Sequence, residues 1–180
     1  MNNEVQYGER VFTLSMSRQE IADIVTRLAD RLNADYAGRK PLFLVMLNGA
    51  FMFAADLMKK VNMDCTMSFV KLSSYVGMSS TGEVSVLLGL ETDVRDRDVV
   101  IVEDIVESGL TMHAALEQLR QAGAKSVEIC SFVFKPNRLK HEDARPKYVG
   151  KAIGDDFIIG YGLDLDGLAR NLPEVYVLKN

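Results

Sequence analysis

The residues best suited to chemistry follow one apolar run, Val99–Val102, near the middle of the chain. Acidic, hydroxyl and small side chains come directly after it: Glu103, Asp104, Glu107, Ser108, Gly109 and Thr111. A hydroxyl-rich loop with glycine at a helix start can bind phosphate, because backbone N–H groups point outward and the helix dipole favours an anion. Two adjacent carboxylates at a strand end can accept hydrogen bonds from a vicinal diol. A sugar phosphate carries both groups, so this stretch predicts a sugar-phosphate site.

Other classes of site are disfavoured by spacing and charge. The stretch lacks the lysine and the G-x-x-x-x-G-K spacing of a nucleotide-binding P-loop. His113 and His141 are far apart and belong to no H-E-x-x-H motif, which argues against a metalloenzyme and predicts surface or helix residues. The 180-residue chain has a net charge of −4 and no long basic run, so we expect no nucleic-acid or membrane partner.

The location of the protein is predicted from what the chain lacks. The N-terminus has no basic and apolar signal segment, and no apolar run is long enough to span a bilayer. Cys65 and Cys130 each lie in an apolar segment, and we interpret them as buried, reduced thiols. The sequence therefore predicts a cytoplasmic protein.

The elements that position the site alternate between strands and helices. Ser17 and Glu20 have capping-box spacing, and the apolar residues after them predict an amphipathic helix that ends near Gly38. A second helix is predicted over Ala50–Lys60 and a third over Gly109–Gln121, with Gly123 as its cap. Strands are predicted at Leu42–Leu47, Thr66–Leu72, Val84–Leu90, Asp98–Asp104, Val127–Phe134, Tyr148–Val149, Phe157–Tyr161 and Glu174–Leu178. This order predicts an α/β fold with a mainly parallel sheet flanked by helices, and ligands at the C-terminal strand ends.

The stretch resembles a known signature, that of the type I phosphoribosyltransferases, which bind phosphoribosyl diphosphate (PRPP). The signature has four apolar residues, two acids, two apolar residues, an acid, Ser or Thr, glycine, any residue and threonine. The resemblance implies that PRPP contacts Glu103, Asp104, Ile105, Val106, Glu107, Ser108, Gly109, Leu110 and Thr111. It also implies a single phosphoribosyltransferase domain over 1–180, with a core at about 38–135 and a small hood from the N-terminal segment and about 136–180.

Nearly the whole chain is similar to the hypoxanthine-guanine phosphoribosyltransferases. The resemblance implies a pyrophosphate site made of Leu47, Asn48, Gly49, Ser74, Tyr75 and Arg170. Ser74 and Tyr75 would lie on a lid formed by the polar loop Ser73–Glu83. It implies a purine site made of Lys135, Phe157, Ile158 and Asp164. Phe157 would stack on the base, Ile158 would offer backbone groups near purine carbon 2, and Lys135 would donate to the 6-oxo oxygen.

The implied reaction moves the 5-phosphoribosyl group of PRPP to hypoxanthine or guanine and releases pyrophosphate, a step of purine salvage. Mg2+ is the implied cofactor, with Glu103, Asp104 and Asp164 as its protein ligands. Glu107 is the implied base for purine N7, because a carboxylate is ionised at neutral pH and can accept a proton. PRPP and a 6-oxopurine are thus the expected partners, together with further copies of this chain in a homodimer or homotetramer.

Two departures from the family pattern keep alternatives open. Glu107 stands where an aspartate is usual, and Asn48 stands where many relatives carry lysine. The peptide between Leu47 and Asn48 can be cis in the family. These departures leave open a PRPP-binding regulator without turnover, and Lys135 leaves open a preference for xanthine, which has the same 6-oxo oxygen.

Overall fold

The computed structural model describes residues 3–74, 84–88 and 92–179. The strands it contains are Glu4–Tyr7 (β1), Arg10–Met16 (β2), Leu42–Met46 (β3), Thr66–Ser74 (β4), Val84–Leu88 (β5), Asp98–Val106 (β6), Ser126–Phe134 (β7), Tyr148–Ala152 (β8), Ile158–Ile159 (β9) and Val175–Leu178 (β10). The α-helices are Arg18–Asp35 (α1), Phe51–Met58 (α2) and Leu110–Gln121 (α3), and short 3-10 helices span Pro136–Arg138 and Glu142–Ala144.

The larger sheet has the strand order β5-β4-β3-β6-β7-β8. The five strands from β4 to β8 in this order are parallel, and β5 pairs antiparallel with β4. All five residues of β3 are buried, because helices cover both faces of the sheet. Phe43 and Val45 pack with α1 and α2, whereas Leu42 and Leu44 pack with α3. The predicted α/β fold with a mainly parallel sheet is confirmed.

A smaller antiparallel sheet is formed by the two ends of the chain, in the order β1-β2-β10-β9. It has its own core, in which Phe12, Ile159 and Tyr176 are buried. β8 falls in the segment expected for the hood, yet it pairs with β7 in the larger sheet. The division into core and hood thus remains a prediction, whereas the small sheet at the chain ends is observed.

Local signals set the helix boundaries close to the predicted ones. The Ser17 hydroxyl accepts a hydrogen bond from the Glu20 backbone N–H at 3.2 Å, which caps α1. β6 runs to Val106, two residues beyond the predicted end. Cys130 is buried as predicted, but Cys65 is only partly buried, because it lies just before β4 begins. No helix in the described part of the chain is long and apolar enough to cross a membrane.

Candidate active site

A cavity opens where β6 ends and α3 begins. It measures about 260 Å³ and is lined by Glu103, Asp104, Ile105, Val106, Glu107, Ser108, Gly109, Thr111 and Met112. The residues predicted to bind PRPP therefore surround one concave surface, apart from Leu110, whose side chain is half exposed. This position is the C-terminal edge of a parallel strand, where α/β proteins bind ligands.

The predicted phosphate-binding loop depends on Gly109, the residue before α3. Gly109 has a φ of 78°, a left-handed conformation that glycine adopts without steric cost. A Cβ there would also lie 2.9 Å from Leu139 Cδ1 and 3.0 Å from the Ala144 Cβ. The Ser108 hydroxyl accepts a hydrogen bond from the Leu110 N–H at 3.3 Å, which orders the turn. The loop thus presents the N-terminus of a twelve-residue helix to the cavity, an arrangement that favours an anion.

Glu103 and Asp104 place two adjacent carboxyl groups in the lining of the cavity. Burial raises the pKa of the Glu103 carboxyl well above its usual range, and the neighbouring charge of Asp104 raises it further. Glu103 Oε1 accepts the Asp104 N–H at 3.0 Å, and Asp104 Oδ1 accepts the Ile105 N–H at 2.9 Å. Adjacent carboxyl groups supply hard oxygen donors, which suit a divalent cation or a diol.

The loop after β3 lies against these acids. The Leu47–Asn48 peptide is cis, as the family resemblance allows. The backbone of Gly49 lies so close to the Asp104 carboxylate that a Cβ would overlap Oδ2. On its other side, a Cβ on Gly162 would overlap the Gly49 carbonyl oxygen. The predicted pyrophosphate loop therefore touches both the acidic pair and the segment that leads to Asp164.

We expect Gly49→Ala to lower kcat/KM for PRPP about 100-fold, because the methyl group must displace the Asp104 carboxylate by an ångström or more. Steady-state kinetics with varied PRPP would measure this effect. Gly154→Ala is the matched control, since a Cβ there meets only the Asp156 carboxylate at 3.4 Å. Equal activity of the two variants would contradict the close packing of Gly49 on Asp104.

Asp164 and Arg170 form an ion pair in the segment that follows β9. Arg170 Nη2 lies 2.6 Å from Asp164 Oδ1, and Arg170 Nη1 donates to the Gly162 carbonyl at 2.7 Å. Asp164 Oδ2 accepts the Gly167 N–H at 2.7 Å. Arg170 is about one quarter exposed, so its guanidinium is held in place and still reaches solvent. The structure therefore joins a predicted metal ligand to a predicted pyrophosphate ligand.

Glu107 and Lys135 also form an ion pair, with Lys135 Nζ 2.6 Å from Glu107 Oε1. The pairing follows from the sheet, because Val106 and Phe134 are register partners at the ends of β6 and β7. The Lys135 backbone N–H donates to the Val106 carbonyl at 2.9 Å, which extends the hydrogen bonding between β6 and β7 by one residue. Lys135 is 4% exposed, whereas the Glu107 side chain is 39% exposed. Glu107, the predicted catalytic base, thus borders the cavity beside the buried ammonium group of Lys135.

The predicted purine wall lies at the edge of the small sheet. Phe157 is 43% exposed, and its ring centroid lies 6.3 Å from that of Phe12. Ile158 is buried, and its strand pairs with Val177 of β10. An exposed aromatic ring with a fixed neighbour can stack on a planar base. Among the described residues, no hydrogen bond, ion pair or ring contact joins this wall to Lys135.

The structure says little about Ser74 and Tyr75, the two residues predicted to lie on a lid. Ser74 is the last residue of β4 and pairs with Val84, and Tyr75 lies outside the described residues. Sequence reasoning missed Gly162, whose φ of 99° and contact with Gly49 connect two parts of the site. It also missed Met112, which lines the cavity from the first turn of α3. The glycine repeat Gly160, Gly162 is the signal that could have indicated the close backbone approach.

Comparisons with known proteins agree with this geometry. The phosphoribosyl transferase domain family matches residues 16–166. Curated hypoxanthine-guanine phosphoribosyltransferases from Staphylococcus aureus and Staphylococcus epidermidis are 39% and 40% identical to this chain over 165 residues, which are 91% of it and 92% of each relative. A crystal structure of a hypoxanthine-guanine phosphoribosyltransferase from Bacillus anthracis has a TM-score of 0.87 and 33% identity, covering 92% of this chain and 98% of that one. A hypoxanthine phosphoribosyltransferase structure from Staphylococcus aureus has a TM-score of 0.85 and 40% identity, covering 92% of both chains.

The parallel sheet and the cavity at the end of β6 define the type I phosphoribosyltransferase fold. The chain belongs to the phosphoribosyl transferase family.

Proposed function

We propose that this protein transfers the 5-phosphoribosyl group of PRPP to hypoxanthine or guanine. An imidazole-ring nitrogen of the purine bonds to carbon 1 of the ribose, and the bond from that carbon to pyrophosphate breaks. The electron pair leaves with pyrophosphate, and the N7 proton passes to Glu107. The products are the nucleoside monophosphate and pyrophosphate. The relatives named for this activity support the assignment, since they match nine tenths of the chain.

The observation that carries the proposal is the Lys135–Glu107 pair beside the phosphate loop. O6 and N7 of a purine lie side by side on one edge of the base. A 6-oxo oxygen accepts a hydrogen bond from Lys135, while a protonated N7 donates to Glu107. Adenine presents a 6-amino donor to the same ammonium group, and two donors cannot pair. The pair therefore favours a 6-oxopurine.

The predicted donor set fits Mg2+, with Glu103 and Asp104 in the cavity lining and Asp164 two residues after Gly162, which contacts Gly49. Glu103, Asp104 and Asp164 offer carboxylate oxygens, the ligands that this hard cation prefers. Burial, and after it the neighbouring Asp104 charge, raises the pKa of Glu103, and a bound divalent cation would favour its anionic form. When bound, Mg2+ supplies charge neutralisation for the pyrophosphate oxygens. Arg170, fixed by Gly162 and Asp164, adds a second positive charge for the leaving group.

Turnover with separate bases tests the proposal directly. Purified protein, PRPP and Mg2+ are mixed with hypoxanthine, guanine, xanthine, adenine or uracil, and the reaction is followed by ultraviolet absorbance. We expect turnover of hypoxanthine or guanine and none of adenine, because Lys135 selects a 6-oxo group. Uracil should not react because it has no N7 proton for Glu107 to accept. Chelation of Mg2+ should abolish the rate, and re-addition should restore it.

The other outcomes identify the alternatives. Faster turnover of xanthine than of the other bases would replace the proposed substrate while keeping the enzyme class. Binding of PRPP without turnover of any base would overturn the enzymatic assignment and identify a regulator. Omitting PRPP controls for absorbance changes of the base that do not arise from transfer.

We also propose that the chain forms a homodimer or homotetramer. Phe51, close after the Leu47–Gly49 loop, has 44% of its surface exposed, and Met67 and Phe69 on one face of β4 expose 46% and 44%. Exposed apolar side chains of this size are typical of interaction surfaces when they form a patch. Light scattering across a range of concentrations would determine the number of copies.

A further inference from the structure

A cluster of metal-ligating side chains lies outside the active-site cavity. His113 is on α3, and His141 and Asp143 come from the segment around the second 3-10 helix. The imidazole rings are stacked, with centroids 4.6 Å apart and an interplanar angle of 24°. His113 Nδ1 lies 2.8 Å from Asp143 Oδ2. One ligand atom from each of the three residues lies within 4.8 Å of the other two.

We propose that His113, His141 and Asp143 bind Zn2+, at a site distinct from the acidic Mg2+ site. Two imidazoles and one carboxylate, with a water in the fourth position, form a familiar tetrahedral donor set for this ion. Imidazole nitrogen suits zinc and its transition-metal neighbours, whereas Mg2+ prefers oxygen donors. Ligand atoms around tetrahedral zinc are about 3.3 Å apart. Binding would therefore require the two stacked rings to turn, so that ligand atoms now within 4.8 Å of one another reach this spacing.

The charges around the cluster are compatible with a dication. The hydrogen bond from His113 lowers the pKa of the Asp143 carboxyl, which therefore remains ionised. Arg120 Nη1 lies 3.8 Å from Asp143 Oδ2 and competes for this carboxylate. The Arg120 side chain is half exposed and also contacts Glu117 at 3.8 Å, so it can leave Asp143 without losing all of its partners. The ion would take the place of the hydrogen bond between His113 Nδ1 and Asp143 Oδ2.

Bound zinc would join α3 to the segment around residues 140–143, and both of these elements donate hydrogen bonds to the backbone of the phosphate loop. The His113 N–H donates to the Gly109 carbonyl at 2.8 Å, and the Lys140 N–H donates to the Ser108 carbonyl at 3.0 Å. The His141 carbonyl lies 3.4 Å from the Cβ position of Gly109. A metal bridge between α3 and residues 141–143 would therefore stabilise the loop in its present position. None of the three ligands lines the cavity, so the bridge would act on the loop and would not contact bound substrate.

Metal titration of untagged protein tests the proposal, because the chain contains only two histidines. We expect calorimetry to show one equivalent of Zn2+ bound, and histidine NMR signals of both rings to shift together. His113→Asn, His141→Asn and Asp143→Asn should each weaken Zn2+ binding about tenfold or more. Glu142→Gln is the matched control, because it removes the same charge from the neighbouring residue, which pairs with Arg145. It should bind zinc as the unchanged protein does.

Further experiments distinguish this site from other groups of the protein that could bind zinc. Cys65→Ser should leave the affinity unchanged, and excess Mg2+ should not displace the zinc. Zinc binding that survives both histidine variants, or that disappears in Cys65→Ser, would overturn the assignment. So would equal losses in Asp143→Asn and Glu142→Gln, which would indicate a general charge effect. Absence of binding by the unchanged protein would overturn it as well.

Discussion

Replacing Glu107 with glutamine is expected to lower kcat for hypoxanthine by about 100- to 10,000-fold, the usual contribution of a general base. The amide has nearly the shape of the acid and can still accept a hydrogen bond from Lys135, but it cannot take up the N7 proton. The variant should therefore keep its fold and its affinity for PRPP. Rates at saturating substrate and PRPP binding by calorimetry measure the two effects separately.

Glu107→Asp is the informative control for this prediction. Aspartate restores the acid that the resemblance makes usual at this position, although it is one methylene shorter. We expect kcat to remain within about tenfold of the unchanged enzyme, because a carboxylate is kept and a small shift of the loop can restore its reach. Glu107 is not the base if the glutamine variant retains full activity. A PRPP affinity that falls in parallel with kcat would instead indicate a damaged loop.

The phosphate loop could be predicted from sequence because all its parts are contiguous. An apolar strand, a pair of acids and Gly109 before a helix follow one another within about ten residues, so local rules were sufficient. The amphipathic pattern of α1 and its Ser17 cap were likewise local. The fold class followed from the alternation of strands and helices, which fixes how the chain can cross over between parallel strands.

The contacts between segments could not be predicted in this way. Glu107 and Lys135 are 28 residues apart, and only the register of β6 against β7 brings them within 2.6 Å. The approach of Gly49 to Asp104 depends on how the loop after β3 leaves the sheet. His113 and His141 belong to no metal-binding motif in the sequence, yet the segment after β7 folds back onto α3 and stacks the two rings. The number of residues between two positions does not indicate whether the chain folds back and brings them together.

The Glu107–Lys135 contact makes a second large effect testable, a change in base specificity. We expect Lys135→Met to lower kcat/KM for hypoxanthine by about 10- to 150-fold, because a hydrogen bond from a charged donor contributes about 1.5–3 kcal/mol. Methionine fills much of the buried volume without a donor, and Glu107 remains solvated through its exposed side. The same change removes the donor that opposes the 6-amino group of adenine.

The ratio of kcat/KM for hypoxanthine to that for adenine is therefore the decisive measurement. It should fall in Lys135→Met, since the loss for the 6-oxopurine has no counterpart for the 6-aminopurine. Lys140→Met is the matched control, because Lys140 is an exposed lysine five residues further on. It should leave both rates and their ratio unchanged. An equal loss for both bases in Lys135→Met would assign Lys135 a structural role, because a merely packed side chain cannot distinguish an acceptor from a donor on the substrate.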